Sequence, residues 1–430
     1  RKDAHPALLD IMPETYGVMV YQEDVIKVAH YFAGLSLGEA DMLRRGMSGK
    51  FRSREEFAQV QQRFFEGCKQ KGHSAELAAE VWRQVESFAG YAFAKGHSAS
   101  YAVESYQSLF LKAHYPLEYM VATINNGGGF YRTELYVHEA RMHDANIHPP
   151  CVNRSDIHSS IEGTDIYLGL AMLHQLDLKT AEQLVQEREE NGPFESLTDF
   201  MDRVHCGMEQ LSILIRIQAF RFTGLGKKEL LWKAHFYHHK REHPPEQRDL
   251  FRPIHKDYDL PALSNSEAEN AFDQIELLGF PLCSPFALLK EGNPGGMCAE
   301  DLPKHKNQLV QICAYLITVK DTRTSDGKRM QFGTFLDQKG FFVDTVHFPP
   351  VAARWPFRGK GVYRIIGKVT EEFGFFSLEV HELHMLAMMP DPRYDEQAVS
   401  NTTHSNEAVI TRNFAAPRKP ANNSTKKSPL

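Results

Sequence analysis

Lys95, His97, Ser98 and Tyr101 fall within two helical turns of one another in the run Phe88-Ala-Gly-Tyr-Ala-Phe-Ala-Lys-Gly-His-Ser-Ala-Ser-Tyr101. An ammonium, an imidazole, a hydroxyl and a phenol so spaced can hold an anion and also test the sugar attached to it. Upstream, Asp41-Met-Leu-Arg44-Arg45 supplies two guanidiniums, whose forked N–H groups suit phosphate oxygens. On a helix these two arginines stand about 100° apart, so at most one points straight into a given pocket. Taken alone, either set can also be a solvated basic face, since charged helix faces are common.

The elements that must carry these groups are helical. Leu35-Ser-Leu-Gly38 precedes a helix with Glu39 and Asp41 near its start, where carboxylates suit the positive end of the dipole. Helical periods recur over 53–71 and 74–88, with Ser53 and Ser74 as N-caps. The helix carrying Lys95 and His97 is amphipathic and ends before Pro116. Gly127-Gly-Gly129 forgoes side-chain packing for backbone freedom, and Pro149-Pro150 marks a boundary near residue 150.

Residues 151–240 read as two helix-hairpin-helix units. The first runs from Tyr167–Leu173 through His174-Gln-Leu176 to a helix capped by Asp177. The second runs from Met208–Ala219 through Gly224-Leu-Gly226-Lys227-Lys228. Glycines at a helix start expose backbone N–H groups that grip phosphate without reading bases, and the two lysines add Coulomb attraction. An ordinary αα turn is the alternative. The first hairpin lacks glycines and is assigned no DNA contact.

Residues 241–303 are loop-like and rich in Pro, Asn, Ser and Gly. From 307 to 390 the period changes to that of strands, five of them, with an Asp326-Gly327 turn between the first two. Five strands in so short a stretch suit a small OB-type barrel. Lys320, Arg323, Lys328 and Arg329 surround its first hairpin, and Phe332, Phe335, Phe341 and Phe342 are aromatics able to stack on single-stranded bases or to fill its core. The tail from 394 is rich in Asn, Thr, Ser, Lys and Pro and reads as disordered.

Composition sets outer limits. The chain has 430 residues, 42% hydrophobic and 24% charged, with a formal charge of −6, which argues against a uniformly basic surface but not against local phosphate-binding clusters. Its length calls for several domains. Six scattered cysteines form no C-x-x-C pair or zinc spacing, as expected of idle thiols in a reducing cytoplasm. No apolar run nears the ~20 residues of a membrane span. The chain opens at Arg1 in mid-pattern, as expected of a piece of a longer protein.

The Asp41–Arg45 and Phe93–Tyr101 segments together resemble the fingers of bacterial C-family DNA polymerases, the family of the DNA polymerase III alpha subunit. Asn125-Asn-Gly-Gly-Gly-Phe-Tyr-Arg132 and Tyr136-Val-His-Glu-Ala-Arg141 look more like its error-prone branch. The resemblance covers roughly residues 1–390. It implies a multidomain, mainly α architecture: a helical fingers domain (1–150), tandem helix-hairpin-helix (151–240), a linker (241–303) and a small all-β OB-like barrel (304–393).

For site residues it implies that Arg44, Arg45 and Lys95 meet the incoming triphosphate. His97 would crowd the ribose 2′ position, with Ser98 and Tyr101 as lesser contacts. Gly96 departs from many replicative relatives, which carry Ser there. Gly224, Gly226, Lys227, Lys228, Lys328 and Arg329 become DNA contacts. Gln247-Arg-Asp-Leu250-Phe251 resembles the family's sliding-clamp-binding pentapeptide; alternatively Leu250 and Phe251 fold back on the domain.

The implied partners are primer-template DNA, deoxynucleoside triphosphates, a sliding clamp and damage-response accessory proteins, with no membrane. The family's chemistry needs two Mg2+ ions on palm carboxylates, expected upstream of Arg1. Asp257-Tyr-Asp259 has Asp-x-Asp spacing but sits in the Pro-rich linker and reads as a solvated loop. No residue of this chain is therefore assigned a catalytic or metal-binding role, and the chain by itself is expected to be inactive. The alternative reading is a non-enzymatic DNA-binding repair scaffold; such a binder has no use for a nucleotide-gating Lys-x-His.

Overall fold

The computed structural model describes residues 5–46, 54–87, 93–242 and 266–394. Gln247, Leu250, Phe251, the Asp257–Asp259 pair and the tail beyond 394 lie outside the described residues. The chain divides into two compact units, Arg1–His114 and Tyr115–Leu430.

The first unit is helical: α1 (Pro6–Ile11), α2 (Gln22–Lys27), α3 (Leu37–Arg45), α4 (Arg54–Gln70), α5 (Ala75–Ser87) and α6 (Lys95–His114). Local chemistry sets the starts. Ser36 Oγ accepts from Glu39 N, and the Glu39 carboxylate accepts from Ser36 N, a reciprocal box that opens α3. Ser74 Oγ accepts from Leu77 N ahead of α5. The apolar faces meet in a core of Val25, Val28, Phe32, Leu43, Phe64 and Trp82. No residue of α6 is buried among the described residues, and Tyr106, Leu109 and Phe110 stand exposed along it.

The second unit begins with α7 (Pro116–Asn125) and α8 (Thr133–Met142), followed by a small sheet of β1 (Asn146–His148), β2 (Ser160–Glu162) and β3 (Asp165–Tyr167) in the order β1-β3-β2. Residues 116–150, expected with the first domain, belong here for a physical reason. Leu117, Met120, Ile124 and Val137 share one core with Leu184, Phe200, Leu214 and Phe220. The glycine loop between α7 and α8 is fixed by close approach. A Cβ on Gly129 would stand 2.5 Å from the Tyr136 hydroxyl, and Gly127 and Gly128 hold φ of 83° and 82°.

Next come α9 (Leu178–Asn191), α10 (Leu197–Arg203), α11 (Met208–Arg216) and α12 (Lys227–Glu242). Asp177 holds the N-cap position of α9, but its side chain makes no capping hydrogen bond. The leading helix of the first hairpin unit is reduced to a 3-10 turn, Leu170–Met172. Part of the stretch read as loop forms α13 (Glu267–Leu278), capped by Ser266 Oγ on Glu269 N.

Five strands close a barrel: β4 (Leu309–Arg323), β5 (Arg329–Leu336), β6 (Phe342–His347), β7 (Val362–Glu372) and β8 (Phe375–Met385), with α14 (Pro349–Arg354) between β6 and β7. The order is β4-β5-β6-β8-β7, with β6 and β8 parallel and the other pairs antiparallel. That is the OB arrangement. Register shifts at Leu316/Thr318 and Ile366/Gly367 provide the bends that let two long strands curl round the barrel. Ile312, Phe335, Val343, Tyr363 and Ile365 fill the interior.

Candidate nucleotide and nucleic-acid sites

In the first unit, α3 and the start of α6 bring the sequence-predicted cations to a common scaffold. Arg44 lies near the end of α3 and donates from Nε (2.9 Å) and Nη2 (2.8 Å) to Asp41 Oδ1. Its Nη1 donates to Gln22 Oε1 at 3.1 Å. Arg45 takes the other oxygen of the same carboxylate, Nη2 to Oδ2 at 2.5 Å. Both guanidiniums thus converge on Asp41 despite their angular separation, and the Arg44 bond, ahead of Arg45, holds the Asp41 carboxyl below the usual range.

Lys95 is the first residue of α6. Its backbone N–H donates to Glu23 Oε2 at 2.9 Å, and its ammonium pairs with Glu14. That hydrogen bond raises the Lys95 pKa and lowers that of Glu14. Ser98 Oγ donates to Ala94 O at 3.0 Å, so its hydroxyl is used within the helix start. His97 is exposed, and Tyr101, one turn on along the same face, is 63% exposed.

The segment between Glu14 and Asp24 ties these groups together. Gln22 N–H donates to Phe93 O at 2.9 Å, and the Tyr21 and Phe93 rings stack at 6.4 Å. The adjacent residues Gln22 and Glu23 therefore hold Arg44 and the α6 backbone respectively. Sequence reading missed Glu14, Gln22 and Glu23. The available signal was Tyr21-Gln-Glu-Asp24, a polar run at a helix start that resembles simple capping; indeed Asp24 Oδ2 accepts from Val20 N and Tyr21 N.

The two hairpins differ in what their backbones offer. In the first, Gln210 from α11 reaches across: its Oε1 accepts from Asp177 N at 2.7 Å and its Nε2 donates to Gln175 O at 3.1 Å. The donor that would face a phosphate is already used. Gln175 also holds φ of 68°, a conformation that glycine adopts without strain. In the second hairpin Gly224 is left-handed at φ 71°, and among the described residues none accepts from the Gly226 N–H. That hairpin leaves a backbone N–H without an acceptor among the described residues at the start of α12.

Lys227 does not. Its side chain is 6% exposed and its ammonium lies 2.6 Å from Asp273 Oδ2 on α13. The expectation of a phosphate contact is corrected: the lysine is an internal pin, and a buried ammonium this close to a carboxylate is not offered to solvent. Lys228, half-buried, pairs with Glu269 at 3.0 Å. Arg216, Glu276, Arg393 and Asp391 extend the network. Four cations face four carboxylates, joining α11, α12, α13 and the chain beyond the barrel.

On the barrel, alternation sorts the aromatics. Phe335 is fully buried, whereas Phe332 (39% exposed) and Phe342 (43%) stand on the outer face of β5 and β6. Phe332 pairs across the ladder with Lys320 and Val346. Lys328 is exposed, and Arg329 is held by Asp321 at 2.8 Å. Thr324, Asp326, Lys328 and Arg329 line one wall, and Phe348 and Pro349 another, of a groove of about 880 Å³. Inside the barrel Thr345 Oγ donates to Gly333 O (2.9 Å), which leaves its lone pair for the His347 Nε2–H (2.9 Å). His347 Nδ1 then faces no acceptor or donor, and burial pushes this imidazole down to about 4.

Among the described residues no group of three His, Cys, Asp or Glu side chains is placed to hold a metal ion, and no helix is long and apolar enough to cross a membrane.

A helical unit presenting clustered cations, two helix-hairpin units and an OB-type barrel occur on one chain. Residues 1–72 match the family described as the bacterial DNA polymerase III alpha subunit finger domain, and residues 144–230 match the helix-hairpin-helix motif. The DNA polymerase III subunit alpha of Borreliella burgdorferi is 29% identical over 89% of this chain and 35% of that protein; the one from Treponema pallidum is 32% identical over 80% and 31%. The error-prone DNA polymerase of Mycobacterium tuberculosis H37Rv is 36% identical over 54% of the chain and 21% of that protein. The chain thus spans about a third of these relatives or less. A solved structure, the second OB-fold domain of replication protein A from Methanococcus maripaludis, is 15% identical over 19% of this chain and 85% of that domain, with a TM-score of 0.15; the barrel is assigned here from its own strand order. Over the matched stretches the chain is similar to the bacterial C-family DNA polymerases, the family of the DNA polymerase III alpha subunit.

Proposed function

We propose that this chain is the nucleotide-, DNA- and clamp-binding portion of a DNA-directed DNA polymerase that adds deoxynucleotides to a primer 3′-hydroxyl, on the error-prone side of its family. The observation that carries the reading is the scaffold at Gln22–Glu23, which anchors Arg44 and the Lys95 end of α6 through adjacent residues. In this reading Arg45 and Lys95 exchange the carboxylates of Asp41 and Glu14 for phosphate oxygens, which carry more charge, while Arg44 stays on Asp41 and Gln22 and offers its remaining N–H groups. His97 and Ser98, one helical turn in, meet the sugar.

The second hairpin grips a DNA backbone phosphate through Gly224 and Gly226, with Lys228 nearby and Lys227 serving the fold instead. Phe332, with Lys320 and Lys328, offers a stacking platform to unpaired bases, and Arg329 borders it. Gln247, Leu250 and Phe251 are proposed to engage the clamp. Mg2+ would supply charge neutralisation and alignment of the attacking hydroxyl. The described residues do not fit such a site, so no step is derived through it.

Equilibrium binding of dATP to the 430-residue chain tests the nucleotide site. Lys95→Met should weaken binding about tenfold, the worth of a lost charge-assisted contact. Equal affinity in wild type and variant would remove Lys95 from the site.

A further inference from the structure

We infer that Gln22 and Glu23 are positioning residues of the nucleotide site, setting the orientation of Arg44 and of the first turn of α6 without touching the nucleotide. The inference rests on the nucleotide reading above and deepens it. Arg44 is clamped at both ends. Asp41 saturates the Nε/Nη2 edge and Gln22 takes an Nη1 hydrogen, so the guanidinium plane is fixed by two helices. One N–H of Nη1 and one of Nη2 remain for a phosphate oxygen.

The next residue fixes the other half. Glu23 accepts the Lys95 N–H, one of the four donors that a helix start leaves unsatisfied. This fastens the α6 end on which Lys95, His97 and Ser98 stand. Gln22 adds a backbone bond to Phe93 O and Tyr21 a ring stack on Phe93, so the two residues before Lys95 cannot swing independently of α2. Consecutive residues on one short helix thus set the spacing between the phosphate end and the sugar end. A sub-ångström error in that spacing would cost discrimination as well as affinity.

The test is binding of dATP and of ATP to the full 430-residue chain carrying Gln22→Met, Glu23→Ala or Glu23→Gln, with Lys95→Met as the site control. Gln22→Met and Glu23→Ala should each weaken dATP about tenfold, the effect of contacting groups held slightly out of place. Each should also narrow the dATP-to-ATP ratio while leaving the melting temperature unchanged. Glu23→Gln, which keeps an acceptor oxygen, should restore both quantities. If Lys95→Met weakens dATP while Gln22→Met and Glu23→Ala bind like wild type, the positioning role is overturned and the nucleotide site stands. If the variants lose affinity in proportion to a fall in melting temperature, with the dATP-to-ATP ratio unmoved, the residues are merely structural and the inference is equally overturned. If the wild-type chain binds no dATP, the nucleotide reading fails and this inference with it.

Discussion

Replacing Lys227 by Met separates the two roles this residue can have. As a phosphate ligand it would be dispensable for folding; as the buried partner of Asp273 it is not. Both side chains are nearly inaccessible, 6% and 2% exposed, and 2.6 Å apart. Breaking a buried pair by removing one partner costs about 3–5 kcal/mol, mostly because a charge is left uncompensated. Here Asp273 keeps Arg216 and Arg393, each at 2.8 Å, and Glu269 keeps Lys228 at 3.0 Å. The low end, about 3 kcal/mol, therefore applies to Lys227→Met. Asp273→Ala strips one carboxylate from three cations and belongs at the high end, about 5 kcal/mol. Hydrogen exchange reads this locally. Amides of α12 and α13 should lose protection by roughly a hundredfold in Lys227→Met and by more in Asp273→Ala. The salt dependence of DNA binding should keep its slope. Unchanged protection together with a slope reduced by about one unit would show Lys227 on a phosphate after all and refute the reasoning.

Other tests follow from the barrel. Phe332→Ala should weaken single-stranded DNA binding about tenfold, from a stacking contact worth ~1–3 kcal/mol, without altering barrel stability. Phe335→Ala, one pleat away and inside, should instead cost about 3–5 kcal/mol of stability; reversed phenotypes would mean the strand faces are misassigned. His347 makes the barrel acid-sensitive. The native imidazole titrates near 4 and the unfolded one near 6.5, so between those values the unfolded chain binds more protons. Its contribution is complete above pH 6.5 and is lost as pH falls toward 4, about 3 kcal/mol in all at ~1.4 kcal/mol per pH unit. Denaturation of wild type and His347→Leu across that window should show wild type losing more stability with acid than the variant; equal losses contradict the burial argument.

Much of the architecture was legible because it is written in local chemistry. Ser74 and Asp177 sit where their helices start, and the five strands announce themselves by β-branched and aromatic runs. The barrel was readable for the same reason that its outer face was not. Alternation fixes that Phe332 and Phe335 face opposite ways, but only closure decides which way is in. Helix α13 was hidden by its own chemistry. Its inner face carries Glu269 and Asp273, so an apolar-period reading passes over it, and its flanks of Ser, Asn and Pro resemble loop. The placement of 116–150 with the second unit depends on which apolar faces meet, a property of pairs that one sequence does not display. The site was half visible. Arg44, Arg45, Lys95 and His97 are recognisable by type and spacing. Gln22, Glu23 and Glu14 matter only through partners 22, 72 and 81 residues away in sequence.

The central claim, that α6 opens with a gate selecting the nucleotide, is tested most directly by the ratio of dATP to ATP affinity in the chain carrying His97→Ala. His97 is exposed at the helix start, so the variant should fold as wild type. ATP binding should strengthen toward that of dATP while dATP binding is nearly unchanged. An unaltered ratio, with both nucleotides still bound through Lys95, would contradict that claim.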